Sequence, residues 1–421
     1  MAPKQHGRQY DLVVFGATGY TGKYTAQYIT THLPTDLKWA VAGRSQSKLE
    51  QVVAECKKLN PDRLQPAVEI CSLTDDELSA LSKKTFILIT TVGPYGKFGS
   101  HAFAACAANG THYLDVTGEV PFVAAMLKQH ESAAKASGAL MFPQIGVESA
   151  PADLVTFSLA SFIRSHFNSP TRDVTVSIHT LKAAPSGGTL STVFSLFDNF
   201  SLSDLRAAYT PFALSPLPAP SPSPAPPRPS LLTRLTGLIE VPSLGLLTTS
   251  IAGSTDAALV QRTWGLLGSL PSPRREQFYG PNFSFQEYMR PRNWLTGMAV
   301  HFGLMLFGLI VATPFLRRIV QKGVYQPGEG PEAEAAQGDE IEYRGVANAD
   351  GRGVERAFCR AWFRGSAYYL TGILLAEAAA TLLQDDVDLP GGVYTPACLG
   401  QPFIDRLERA GFHFETRRLE N

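Results

Sequence analysis

Cysteine is scarce in this chain of 421 residues: there are five, Cys56, Cys71, Cys106, Cys359 and Cys398, none in a CxxC pair. An odd count spread so widely excludes a disulfide framework and a zinc ribbon, and it points to reduced thiols in a cytosol-facing compartment. No metal site is expected. Charge is sparse too, at 18% of residues against the ~25% of an average soluble protein. Lys+Arg and Asp+Glu both number 37. With no basic excess to offset phosphate charge, nucleic acid is not an expected partner. The first nine residues hold no apolar run, so no secretory signal is expected there. The last five, Arg417 to Asn421, form neither a peroxisomal tripeptide nor a prenylation box. Apolar residues, by contrast, make up 44%, which excludes a disordered chain. The length allows two or three domains of roughly 100–200 residues.

Residues 10 to 150 alternate apolar strand-length runs (11–15, 38–42, 86–91, 111–116, 139–144) with helical stretches (22–33, 100–108, 121–137). Apolar strands separated by helices imply a parallel sheet covered on both faces. The reading is an α/β fold: an N-terminal Rossmann doubly wound parallel sheet over 1–150 and a second, α+β domain over 151–390. Residues 391–421 form a C-terminal segment returning to the first domain.

Two stretches read as exposed insertions. Residues 211–229 hold nine of the thirty prolines and suit a stiff linker or loop. Residues 326–353 are acidic at first and glycine-rich throughout. Between them, 294–316 contains no Asp, Glu, Lys or Arg, with Arg290, Arg292 and Trp294 at one end and Arg317 and Arg318 at the other. That length satisfies the ~20 residues a membrane span needs, and the flanks suit a lipid interface. The alternatives are a helix buried in the second domain or a homodimer interface.

The strongest chemical signal is Gly16-Ala17-Thr18-Gly19-Tyr20-Thr21-Gly22 after a strand and opening a helix, the context a dinucleotide fingerprint needs. Gly16 permits the tight turn, Gly19 lets backbone amides approach a pyrophosphate, and Gly22 lets the helix lie close to the sheet. After the second strand an NAD enzyme places a carboxylate for the ribose hydroxyl. Here the chain reads Gly43-Arg44-Ser45-Gln46-Ser47-Lys48 instead. Arg44 offers paired donors to a 2′-phosphate, and Ser45 and Lys48 add a hydrogen bond and charge. NADPH is the expected cofactor. Val92, Gly93 and Pro94, after the fourth strand, are expected beside its nicotinamide half. Tyr95 is the candidate proton donor, with aromatic packing as the alternative. Asp115 and Glu119 either bind substrate or cap the helix that follows.

The series GATGYTG, AGRS, VGPYGKFG, GTHYLDVTGE and IGVESAPADL resembles the saccharopine dehydrogenase-like oxidoreductases, a family that includes lipid-associated eukaryotic members and bacterial trans-acting enoyl reductases. The resemblance continues through 186–189, 255–263 and 391–397, and so covers nearly the whole chain. Where the family usually reads CGFDSIPSDL, this chain has Glu148 at the first carboxylate. The resemblance implies a nicotinamide-dependent reductase whose second-domain sheet faces the cofactor cleft, with the chain's last helix packed back on the first domain.

The expected activity is NADPH-dependent hydride transfer to a C=C of an enoyl, polyketide or lipid-like substrate, free or carrier-bound. A C=N reductase of the saccharopine type is the first alternative, and a lipid-surface scaffold with a vestigial cofactor fold the second. A span at 294–316 would put the two parts of the second domain on opposite sides of a bilayer. A cytosol-facing enzyme held to a membrane or lipid-droplet surface is therefore expected.

Overall fold

The computed structural model describes residues 4–182, 187–220, 230–321, 338–351 and 355–420. Six strands in the first third of the chain, β1 (Tyr10–Phe15), β2 (Trp39–Gly43), β3 (Ala67–Ile70), β4 (Thr85–Thr90), β5 (His112–Asp115) and β6 (Leu140–Phe142), alternate with helices. Five strands follow: β7 (Thr171–Leu181), β8 (Ile239–Val241), β9 (Gly245–Thr249), β10 (Ser284–Met289) and β11 (Glu340–Ala349). The last three are β12 (Arg356–Arg364), β13 (Gly392–Val393) and β14 (His413–Leu419).

They form two seven-stranded sheets. The first, ordered β13-β6-β5-β4-β1-β2-β3, is parallel throughout. Its order reverses between β1 and β4, and ligands of doubly wound sheets bind outside the carboxyl ends of strands at such a reversal. The second, β14-β12-β11-β7-β10-β9-β8, is antiparallel except where β10 pairs with β7. The expected fold class is the one observed.

Side chains alternate faces along a strand, and the burial follows. Val13, Phe15, Ala40, Ala42 and Leu88 pack under the helices that hold Leu78, Phe103 and Val123. Leu12, Val14, Val41, Ile87 and Ile89 share their core with Ile373, Leu374 and the second sheet's Val174, Val176 and Ile341. One core therefore runs through both sheets.

Several sequence expectations are corrected by the geometry. The helix packed on the first domain is not the last one but Ala367–Gln384, which crosses helix Tyr20–His32 so closely that a Cβ at Gly372 would meet the Tyr24 carbonyl carbon at 2.9 Å. The last helix, Gln401–Arg409, buries Phe403, Ile404 and Leu407 in the shared core. Of the terminal segment, β13 extends the parallel sheet but β14 pairs with β12 in the other sheet. Residues 340–349, read as part of a loop, are the strand β11 between β7 and β12. Their charges hid the alternation: Glu342 is buried because Arg344 and Arg360 bind it at 2.5 and 2.9 Å. The first half of the proline tract, 211–220, is no free linker. Phe212 N–H donates to Gln261, and the Leu214 carbonyl accepts from the buried Arg262. The rest of that tract, 221–229, lies outside the described residues, as do 326–337, 352–353 and Ser186 of the family motif.

Candidate active site

The fingerprint turn sits at the carboxyl end of β1. Gly16 adopts φ +90°, left-handed backbone that an L side chain rarely takes. The Gly19 amide donates to the Gly16 carbonyl at 2.9 Å, closing the turn. A Cβ at Gly22 would lie 2.2 Å from that same carbonyl, so only glycine lets helix Tyr20–His32 start this close to the strand. Val92, after β4, packs against Gly16 from the other side of the reversal point. Thr18, Gly19, Tyr20 and Thr21 are all partly accessible along the helix start. Tyr20 also makes edge contacts with Tyr24 and Tyr368. A helix N-terminus presents free amides and positive dipole, which suits a pyrophosphate.

Arg44 directly follows β2, is exposed, and has no hydrogen bond or ion pair among the described residues. Lys48, one turn into helix Gln46–Leu59, is likewise exposed, and the Ser45 hydroxyl lies 3.4 Å from that of Ser47. The carboxyl end of β2 thus holds uncommitted cations and no carboxylate between Gly43 and Ser47. The residues present fit an NADP phosphate. Gly93 is exposed and Pro94 buried at the mouth of the same crevice.

The structure places Tyr95 elsewhere than the sequence suggested. It is 4% exposed, its hydroxyl donates to the Thr90 carbonyl at 2.9 Å and accepts from the Val116 amide at 3.3 Å. Burial, and then the Asp115 carboxylate, pushes its phenol well above the ordinary range. Tyr95 joins β4 to the loop after β5; it is not poised to hand a proton to a ligand. Glu119 caps, but not the helix that follows it. Its two oxygens accept from the amides of Tyr95 and Gly96 at 2.6 and 2.9 Å, at the start of the short helix Tyr95–Phe98. Asp115 accepts from Thr117, Gln144 and the Tyr113 hydroxyl and so fixes the ends of β5 and β6. Burial raises the Asp115 carboxyl to about 6 and that of Glu119 to about 7. Asp153, wholly buried, accepts from the Thr263 hydroxyl at 2.6 Å and the Ala397 amide at 2.9 Å, and burial raises it to about 7.

A second group of acids was only half visible in the sequence. Glu148 follows β6, solvent reaches it, and its Oε2 lies 3.3 Å from where a Cβ on Gly118 would stand. Dense protein around the crevice nonetheless desolvates its carboxyl and raises it. Near it lies a carboxyl pair, Asp256 at the start of helix Gly253–Ser269 and Glu287 on β10. The Ser250 hydroxyl donates to Glu287 at 2.6 Å, but neither Asp256 oxygen meets an N–H or hydroxyl donor among the described residues. Burial and their mutual repulsion keep the two acids from ionising together, so the pair holds a proton between them. Burial first, then Glu287, holds Asp256 far above the usual carboxylate range. The Tyr343 hydroxyl donates to the Val147 carbonyl at 3.1 Å and ties β11 to the crevice edge. Glu148 and Asp256 lie in motifs legible in the sequence. Glu287 and Tyr343 carried no signal, because each is one alternating position on a strand.

Comparison with known proteins agrees with this geometry. Residues 12–141 match the saccharopine dehydrogenase NADP binding domain. A trans-acting enoyl reductase of Mycobacterium leprae is 28% identical over 98% of this chain and 99% of its own. A saccharopine dehydrogenase-like oxidoreductase of Mus musculus is 29% identical over 99% of each chain. Among solved structures, the apo saccharopine dehydrogenase (L-Glu forming) of Saccharomyces cerevisiae shares the fold with a TM-score of 0.53 at 11% identity, covering 97% of this chain and 99% of that one. The chain is an oxidoreductase with an NADP-binding domain, similar over nearly its whole length to proteins named saccharopine dehydrogenase-like oxidoreductase and trans-acting enoyl reductase.

Proposed function

We propose that the protein is an NADPH-dependent reductase of a C=C bond in an enoyl, polyketide or lipid-like acyl substrate, with Glu148 as the proton donor. The observation that carries this reading is the lining of the crevice: Glu148, Asp256 and Glu287 bring three carboxyl groups there, and desolvation favours the uncharged form of each. Such a lining gives the two anionic groups of an amino-dicarboxylate no cationic partner, and it tolerates a neutral acyl chain.

NADPH, held by the Gly16–Gly22 turn with Arg44 at its phosphate, supplies a hydride when bound. Saturating a C=C also needs a proton at the neighbouring carbon. Desolvation disfavours the charged form of Glu148 and so favours its carrying one, and solvent reaches it. After giving the proton up it is left as a carboxylate, which water reprotonates. The shared proton on Asp256 and Glu287 keeps that lining from gathering full negative charge.

A substrate panel tests this: enoyl thioesters, keto acids with amines, and cyclic imines, each followed by NADPH absorbance. Enoyl thioester reduction without amine is expected, and Glu148→Gln should lower kcat by about 10²–10⁴-fold while leaving NADPH affinity unchanged. Turnover only when an amine is present would make the protein a C=N reductase instead. Unchanged kcat in Glu148→Gln would remove Glu148 from the reaction.

A further inference from the structure

The segment without charges folds as helix Trp294–Ala312, followed by helix Pro314–Gln321. Within the first helix only Gly297 and Val311 are buried. One stripe of it is seated on the second domain. The Thr248 hydroxyl donates to the Gly297 carbonyl at 2.8 Å, Thr249 and His301 are in hydrogen-bond contact at 2.8 Å, and Phe307 meets the ring of Phe194 edge-on. Farther along, Arg317 donates to the Val311 carbonyl and pairs with Asp198 at 2.7 Å. The opposite stripe, Leu295, Phe302, Met305 (61% exposed), Leu306 and Leu309 (63%), faces away from the protein. Their spacing is that of one helical face.

A second apolar element lies alongside. Helix Leu231–Thr236 exposes Leu231 (72%), Leu232 and Leu235, and Gly237 at its end packs against His301. Phe315 (71%) and Ile319 continue the surface beyond the break at Pro314. Arg234, Arg292 and Arg318 border it, all exposed and none in an ion pair among the described residues.

We infer that these elements form one docking face for an anionic lipid surface, with helix Trp294–Ala312 lying in the plane of the interface rather than crossing it. Two observations fix the orientation. The strands before and after the segment, β10 and β11, both pair with β7, so the chain enters and leaves on one side. The helix is also bound to β9 near its start and to Arg317 at its end, so a crossing would drag the second sheet into hydrocarbon, where sheet edges are not tolerated. The occupant follows from charge. Uncommitted arginines and Trp294 around a leucine-rich face match anionic headgroups above acyl chains. A second copy of the chain would set the same arginines against one another. Phe200, just past the helix that carries Phe194, packs on Gly96 beside Glu119. The docking face and the crevice wall therefore share one helix, although the inference does not depend on the reaction.

The test is flotation of the full chain with vesicles of phosphatidylcholine alone and of phosphatidylcholine with phosphatidylserine. Wild type should float with the second and much less with the first. Each of Arg234→Gln, Arg292→Gln and Arg318→Gln should weaken binding to the anionic vesicles by about fivefold. Leu306→Glu with Leu309→Glu should abolish flotation, with NADPH binding retained to show that the fold survives. Failure of wild type to float with either vesicle overturns the inference. So does flotation that survives the Leu→Glu pair, or a vesicle-free dimer that this pair dissolves, which would make the face an interface between copies.

Discussion

Replacing Arg44 by alanine separates the two nicotinamide cofactors in a way the structure makes quantitative. The side chain is exposed and carries no hydrogen bond or ion pair among the described residues, so its removal leaves packing and folding essentially untouched. With the 2′-phosphate placed at Arg44, what it would remove is a charge-assisted contact to a group that only NADPH carries. Hydrogen bonds to charged groups contribute about 1.5–3 kcal/mol. At about 1.4 kcal/mol per tenfold, NADPH binding should weaken by about 10- to 150-fold while NADH binding stays within about twofold. Fluorescence titration of both cofactors at one fixed ionic strength measures this directly. Raising the salt should shrink the wild-type preference, because an exposed charge is screened within about a Debye length. Equal weakening of both cofactors, or of neither, would refute the placement of the phosphate at Arg44.

Tyr95→Phe should cost about 1–2 kcal/mol of stability, since it leaves the Val116 amide without its buried acceptor, and should leave kcat within about twofold; a large kcat loss at full stability would return the proton to Tyr95. Stability should fall as pH rises from about 4 to about 7. Asp115, Glu119 and Asp153, raised by burial to about 6, 7 and 7, hold protons in the folded chain that they have lost in the unfolded one. That contribution is complete below the unfolded carboxylate range and disappears through the folded values. Melting temperatures measured across that range should therefore decline, and a steady rise would contradict the protonation of these acids.

The parallel sheet was legible because its strands are continuous apolar runs between helices, and the cofactor turn because three glycines at fixed spacing leave few other structures open to the backbone. The short strand β3 escaped because its residues are half-buried or exposed and alternate too briefly to register. Glu342 made β11 look like loop, since sequence does not show that two arginines from neighbouring positions will neutralise it. Tyr95 reads the same whether its hydroxyl faces a ligand or two backbone groups, and only burial separates the two. The partners of Asp153 stand 110 and 244 positions along the chain, beyond the reach of any local pattern.

The return of the chain to its first sheet has a consequence for how the protein is made. The edge next to β6 is filled by Gly392–Val393, and one face of helix Tyr20–His32 is covered by Ala367–Gln384. A ribosome adding about 5–20 residues per second delivers these pieces about 10–50 seconds after β6 has emerged. Throughout that interval the cofactor domain waits with an open strand edge and bare apolar surface, the two features that invite wrong partners. The nascent chain is thus a natural client for chaperones, and a fragment ending near residue 150 would inherit that unfinished state permanently.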